Sequence, residues 1–388
     1  MTPPLRHFGA SERLDLVRFA ALCERHTEPA DYSLAERLSA GVPVYDGRRA
    51  LELGARVDTR ASLLDEWHQG LLEGPGVLVI EGMFADTRVI DDASEAFFAI
   101  IESERAAGAK GDHFAPAGSN DRIWNAFQKH GLTAPENFLA YYANPLLALV
   151  SEAWLGPHYQ VTSQVNVVNP GGQAQRPHRD YHLGFQDDAS VARYPLSMQV
   201  ASQLLTLQGA IAHSDMPLDT GPTQLLPYSQ RYPEGYLAYR DPAFRDYFAE
   251  HALQLPLAKG DGLFFNPALF HAAGENRSRD RRRMANLLQV SSAFGRPMEA
   301  VDSRRLIEAC YPALLDAYRR ESLSPGIQAF LTAVAEGYAF PANLDLTPPE
   351  SGMAPETQRR LVERALEQAW SPTTIGKALE RLEELRRP

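Results

Sequence analysis

His178-Arg179-Asp180, within QRPHRDYHLGF, sets an imidazole and a carboxylate two residues apart, and another imidazole, His271, follows in FFNPALFHAAGENRS. Two imidazoles and one carboxylate can occupy one face of an octahedral ion and leave the opposite positions open, a ligand set suited to Fe(II) and oxygen chemistry. Residues i and i+2 of a strand point to the same side, so His178 and Asp180 can chelate one ion while Arg179 points away. The third ligand has to arrive from another strand. His271 closes a run, Gly262 to Phe270, that reads as one.

Other residues compete for chemical roles. His213-Ser214-Asp215 is a second His-x-Asp pair and could chelate equally well on spacing alone. His182, four residues past His178, is off the shared face and suits a substrate entrance or support of a ligand. His113, Arg122, Trp124 and Asn125 belong to KGDHFAPAGSNDRIWNAFQKH, a polar stretch that reads as a surface loop able to close over a substrate. The basic run from Arg277 to Arg283 reads as a solvated hairpin turn. One of its guanidiniums could instead turn inward to grip a carboxylate, and alternation alone leaves Arg281, Arg282 and Arg283 open.

The elements that must position these groups fall into three regions. Residues 1–75 have a mainly helical pattern, with Ser11 as a cap and an amphipathic stretch from Leu63 to Leu72. From Gly76 a short strand, Val77 to Ile80, precedes a helix over about Asp86 to Ala107. Between about 155 and 295 the signals are mostly β, in YQVTSQVNVV, SMQVASQLLTLQGAIA, DGLFFNPALF and MANLLQVSSAF. Helical periodicity returns over 296–388. The expected fold is α+β, a double-stranded β-helix (jelly roll, cupin-like) over 76–295 between two helical extensions, with the metal site inside. In the strand Tyr159–Val168, alternation puts Gln160, Thr162, Gln164 and Asn166 on one face, which meets either solvent or a polar pocket beside the metal.

Composition narrows the partners. With 388 residues, 44% hydrophobic and 22% charged, the chain has the make-up of a soluble globular protein with a sizeable core. Lys plus Arg is 38 and Asp plus Glu is 49, a net charge of −11 that disfavours nucleic acid and anionic membranes as partners. Cys23 and Cys310 have no metal or redox spacing, so neither a disulfide scaffold nor a zinc-thiolate protein is expected. The N-terminal stretch lacks the apolar core of a signal peptide and no apolar run is long enough for a bilayer, so a cytoplasmic location is expected.

Four blocks in order, HRD, DMPLDTGPTQLLPYSQ, KGDGLFF and HAAGENRSRDRRR, resemble the phytanoyl-CoA dioxygenase-like family of Fe(II)/2-oxoglutarate oxygenases over roughly residues 76–295. Thr220 stands where the family has Asn before Gly-Pro, and Pro227-Tyr228-Ser229-Gln230 replaces its Pro-Gly-Ser-His. The resemblance implies His178, Asp180 and His271 as iron ligands and Arg282, eleven residues after His271, as the 2-oxoglutarate clamp. It also implies cosubstrate contacts from Gln164 first, then Asn166 and Thr223. Fe(II), 2-oxoglutarate and O2 would serve a hydroxylase that releases succinate and CO2. Its substrate would be a small or medium-sized organic molecule, touched by His182, His113, Arg122 and Trp124. A homodimer through the helical extensions is a further expectation. A cupin-like isomerase, an oxygenase needing no 2-oxoglutarate, and a noncatalytic jelly-roll binding protein are the competing readings; Arg282 discriminates against the first two, and the complete triad with that arginine argues against the third.

Overall fold

The computed structural model describes residues 8, 14–108, 120–339, 343–346, 348 and 354–387. Eleven strands are formed among them: β1 (Arg37–Ser39), β2 (Val42–Asp46), β3 (Val77–Glu81), β4 (Asn120–Ile123), β5 (Tyr159–Val168), β6 (Thr206–Ala212), β7 (Gln224–Leu226), β8 (Leu253–Gln254), β9 (Gly262–Phe265), β10 (Phe270–Ala272) and β11 (Arg283–Ser292). Eight make a large sheet in the order β1-β2-β3-β9-β6-β11-β5-β4, and β10-β7-β8 make a smaller one. All pairings are antiparallel except β2 with β3.

Strand alternation explains the two layers. Leu78 and Ile80 of β3, Leu207 and Ile211 of β6, and Met284, Leu288 and Val290 of β11 join a core formed with the helices Val57–Leu72, Arg88–Ala106, Pro135–Tyr142 and Pro145–Leu155. Their strand neighbours, Val77, Val79, Ala210, Ala212 and Ala285, face the other way and meet Leu225, Leu255, Leu257 and Leu269 from the small-sheet side. The result is a jelly-roll sandwich with one face of its large sheet covered by helices.

Three local expectations change. Gly262 to Phe270 is two strands in different sheets, because Asn266 starts a turn: Leu269 N donates to Asn266 O, and Ala268 N donates to the Asn266 side chain. SMQVASQ lies mostly in the helix Leu196–Gln203, which starts after Pro195, and only Thr206–Ala212 of that block is a strand. The segment read as an N-terminal helical extension also supplies β1 and β2, which lengthen the large sheet. Helices from both ends share its cores. Phe19 is fully buried against Tyr232, Phe244 and Phe270, while Leu306, Tyr311 and Leu379 join the core beneath the large sheet.

Candidate metal centre

His178 and His271 come together through backbone pairing. His178 N donates to His271 O at 3.0 Å and His271 N donates to His178 O at 3.2 Å, a single antiparallel bridge that aligns the two imidazoles. Asp180 N donates to Pro267 O, so the motif continues along the end of the β9–β10 crossover. Directly after it, Tyr181 and His182 take positive φ values of 64° and 42°, a sharp reversal that ends the extended segment and starts the turn His182–Phe185.

The side chains converge. His178 Nε2 lies 3.7 Å from Asp180 Oδ1 and His271 Nε2 lies 3.5 Å from Asp180 Oδ2. One ligand atom from each residue falls within 4.8 Å of the others, and no other group of three such residues is found among the described residues. Both Nδ1 atoms sit against backbone carbonyls, His178 on Arg176 O at 2.9 Å and His271 on Leu269 O at 2.8 Å. That pairing puts the ring proton on Nδ1 and leaves each Nε2 lone pair for a metal, as metal-binding imidazoles require. Burial holds the His178 imidazole below its ordinary pKa despite the nearby carboxylate, which keeps it neutral. For Asp180 burial acts upward, but His178, His271 and the Gln208 amide together hold the carboxyl below the usual range. Gln208 Nε2 donates to Asp180 Oδ2 at 2.6 Å, which leaves Oδ1 the freer oxygen for an ion. This donor set fits a divalent iron ion.

Arg179 points away, as strand parity requires. It is 1% exposed, its guanidinium lies 5.3 Å from the rings of both Tyr236 and Phe270, and Nη2 donates to Ser229 O and Tyr232 O. Gly235 allows this approach, since a Cβ there would fall 1.8 Å from Arg179 Cζ. The competing pair, His213 and Asp215, is engaged elsewhere. His213 is buried with Nδ1 on Ser94 Oγ and Nε2 on the Tyr141 hydroxyl, both at 2.9 Å, and Asp215 accepts from Lys259 N.

The triad opens into a cavity of about 570 Å³ between the sheets. Gln164, Asn166, Thr223, Arg122 and Trp124 line it, whereas Asn125 and His182 do not. His113 lies outside the described residues. Gln164 is already engaged, accepting from Arg122 Nη1 at 2.9 Å and donating to Met298 Sδ, while Asn166 Oδ1 is buried without a partner. Arg282, the expected clamp, is exposed and does not line the cavity. Arg283 lines it instead, because Arg283, Ala285, Leu287 and Gln289 share the inward face of β11. Its Nη1 donates to Thr220 O and Gly274 O, and burial alone lowers its pKa to about 10, with no carboxylate acting on it. Gln208 and Arg179 were not singled out by sequence. Gln208 had a signal, a polar residue within the otherwise apolar TLQGAIA.

The model of one family, phytanoyl-CoA dioxygenase (PhyH), matches residues 72–284, more than half of the chain. The chain belongs to the PhyH family. Among curated proteins, dioxygenase cdmD of Talaromyces verruculosus is 28% identical over 155 residues, covering 38% of this chain and 46% of that relative. The chain thus matches a little under half the length of this relative. Similar solved structures include the non-haem α-ketoglutarate-dependent epimerase SnoN from nogalamycin biosynthesis, with TM-score 0.40 and 16% identity over 60% of this chain and 84% of that one. The non-haem α-ketoglutarate-dependent carbocyclase SnoK, also from nogalamycin biosynthesis, gives TM-score 0.42 and 21% identity over 57% of this chain and 82% of that one. No helix among the described residues is long and apolar enough to cross a membrane.

Proposed function

We propose that this PhyH-family chain is an Fe(II)- and 2-oxoglutarate-dependent dioxygenase that hydroxylates a C–H bond of a small or medium-sized organic molecule. The observation that carries the reading is the convergence of His178, Asp180 and His271 in the same cavity as a buried arginine without a carboxylate partner. A buried cation without a counter-ion is costly, so a site built this way favours an anionic ligand. Bound at the triad, iron supplies the coupling of dioxygen reduction to decarboxylation of 2-oxoglutarate, giving succinate and CO2 and delivering one oxygen atom to the substrate.

The chain's own residues do the rest. His178, Asp180 and His271 hold the ion, and the carbonyls of Arg176 and Leu269 keep both imidazoles in the metal-binding tautomer. Arg283, rather than Arg282, grips the far carboxylate of 2-oxoglutarate. Arg122, whose charge acts on His178, adds positive potential at the metal end, and Asn166 and Thr223 offer polar contacts between. A cavity of about 570 Å³ accommodates the five-carbon cosubstrate and a ligand of ordinary metabolite size.

Anaerobic addition of Fe(II) and then 2-oxoglutarate should produce the visible charge-transfer band of the chelate in the wild type and none in His178→Ala. A wild type without the band, or a variant that keeps it, overturns the proposal.

A further inference from the structure

Gln208 and Gln289 have hydrogen-bonding capacity that the protein does not use. They are directly opposed across β6 and β11, both line the cavity, and they are 3% and 6% exposed. Gln208 spends its amide nitrogen on Asp180, and Asp180, an acceptor only, fixes the amide's orientation and leaves Oε1 without a donor. Gln289 has a buried Oε1 without a partner, and its side chain makes no hydrogen bond among the described residues. Two adjacent buried amides in this condition are costly unless something entering the cavity satisfies them.

Their place says what that ligand is. Arg283 and Gln289 stand on the same face of β11, six residues and therefore about 20 Å apart. The Gln208 amide holds Asp180 of the triad, so a five-carbon dicarboxylate reaching from the metal toward Arg283 extends away from the Gln208–Gln289 pair. Phe185 also lines the cavity with half of its surface exposed, and its ring lies 6.4 Å from Tyr181.

We propose that Gln208 and Gln289 form a substrate-reading pair, and that the substrate is a largely apolar molecule whose hydroxyl group docks on these two amides beside the metal. A hydroxyl suits the pair because it donates to one amide oxygen and accepts from an amide N–H. This rests on the function proposed above and narrows it to hydroxylated substrates. A substrate lacking the group leaves both amides unpaired and is rejected, a stronger discrimination than apolar contacts provide.

The probes are shape-matched pairs, 2-naphthol with 2-methylnaphthalene, phenol with toluene and cyclohexanol with methylcyclohexane, added anaerobically to protein loaded with Fe(II) and 2-oxoglutarate. Paramagnetic relaxation of the probe protons reports approach to the iron and yields Kd. The hydroxylated member of at least one pair should bind about tenfold more tightly in the wild type, the order of one buried hydrogen bond. That preference should collapse toward unity in Gln289→Met and return in Gln289→Glu, with melting temperatures reporting that the variants fold. No hydroxyl preference in any pair, including no binding at all, overturns the proposal, as does a preference that survives in Gln289→Met. Failure of the charge-transfer band before any probe is added would instead strike the function proposed above.

Discussion

Replacing Arg283 separates the cavity's electrostatics from its stability. Its guanidinium is 6% exposed and burial lowers its pKa from 12.5 to about 10, a penalty on keeping the charge of about 3 kcal/mol. Against that stand two hydrogen bonds, to Thr220 O at 2.9 Å and Gly274 O at 3.3 Å, together worth about 3–6 kcal/mol for a charged donor. The net stabilisation is about 0–3 kcal/mol, so Arg283→Leu should lower the melting temperature of the unliganded protein by no more than several degrees. The affinity for 2-oxoglutarate should not be spared. Loss of one charge-assisted carboxylate pair costs about 1.5–3 kcal/mol, or roughly 10- to 150-fold in Kd. Anaerobic titration of 2-oxoglutarate against the Fe(II) protein, followed by the charge-transfer band, measures it directly. Arg283→Lys should fall between, since it keeps the charge and loses the planar fork. Arg282→Leu, at an exposed position outside the cavity, should leave Kd unchanged. A large loss in Arg282→Leu together with wild-type affinity in Arg283→Leu would refute the assignment.

Other perturbations test the frame around the site. Arg179→Met removes the donor to Ser229 O and Tyr232 O and the cation between Tyr236 and Phe270, and should cost roughly 2–4 kcal/mol in urea unfolding; an unchanged midpoint would contradict its structural weight. His130 and His213 are buried with pKa values lowered, chiefly by burial, from 6.5 to about 4 and about 3. A lowered folded value means the unfolded chain binds the protons first, so their stabilisation is complete above pH 6.5 and is lost as pH falls toward 4 and 3. Each contributes a slope of up to about 1.4 kcal/mol per pH unit in that window, and His213→Gln should remove about one such increment from stability measured between pH 6 and 4.5. An unchanged slope would place the titration elsewhere.

The candidate triad was legible in sequence because His-x-Asp carries its geometry in two residues, and strand parity sends Arg179 to the opposite side whatever else the chain does. The β-rich middle, the strand Val77–Ile80 and the helix after it were legible for a similar local reason, the period of their apolar residues. Parity also pointed to Arg283 as the cavity-lining arginine, since it shares a face with Ala285, Leu287 and Gln289, but using it required knowing which face of β11 turns inward. The eleven-residue offset selected Arg282, one position from the inward face, and a shift of one residue along a strand reverses the side. Tertiary structure alone set His213 against Ser94 and Tyr141, contacts 119 and 72 residues away, and so removed it from metal chemistry. It also split Gly262–Phe270 between two sheets, which brings His271 opposite His178, and it placed Gln208 on Asp180 and beside Gln289. Local sequence determines which side of its own strand a group occupies, whereas the partner it meets there depends on long-range pairing between strands.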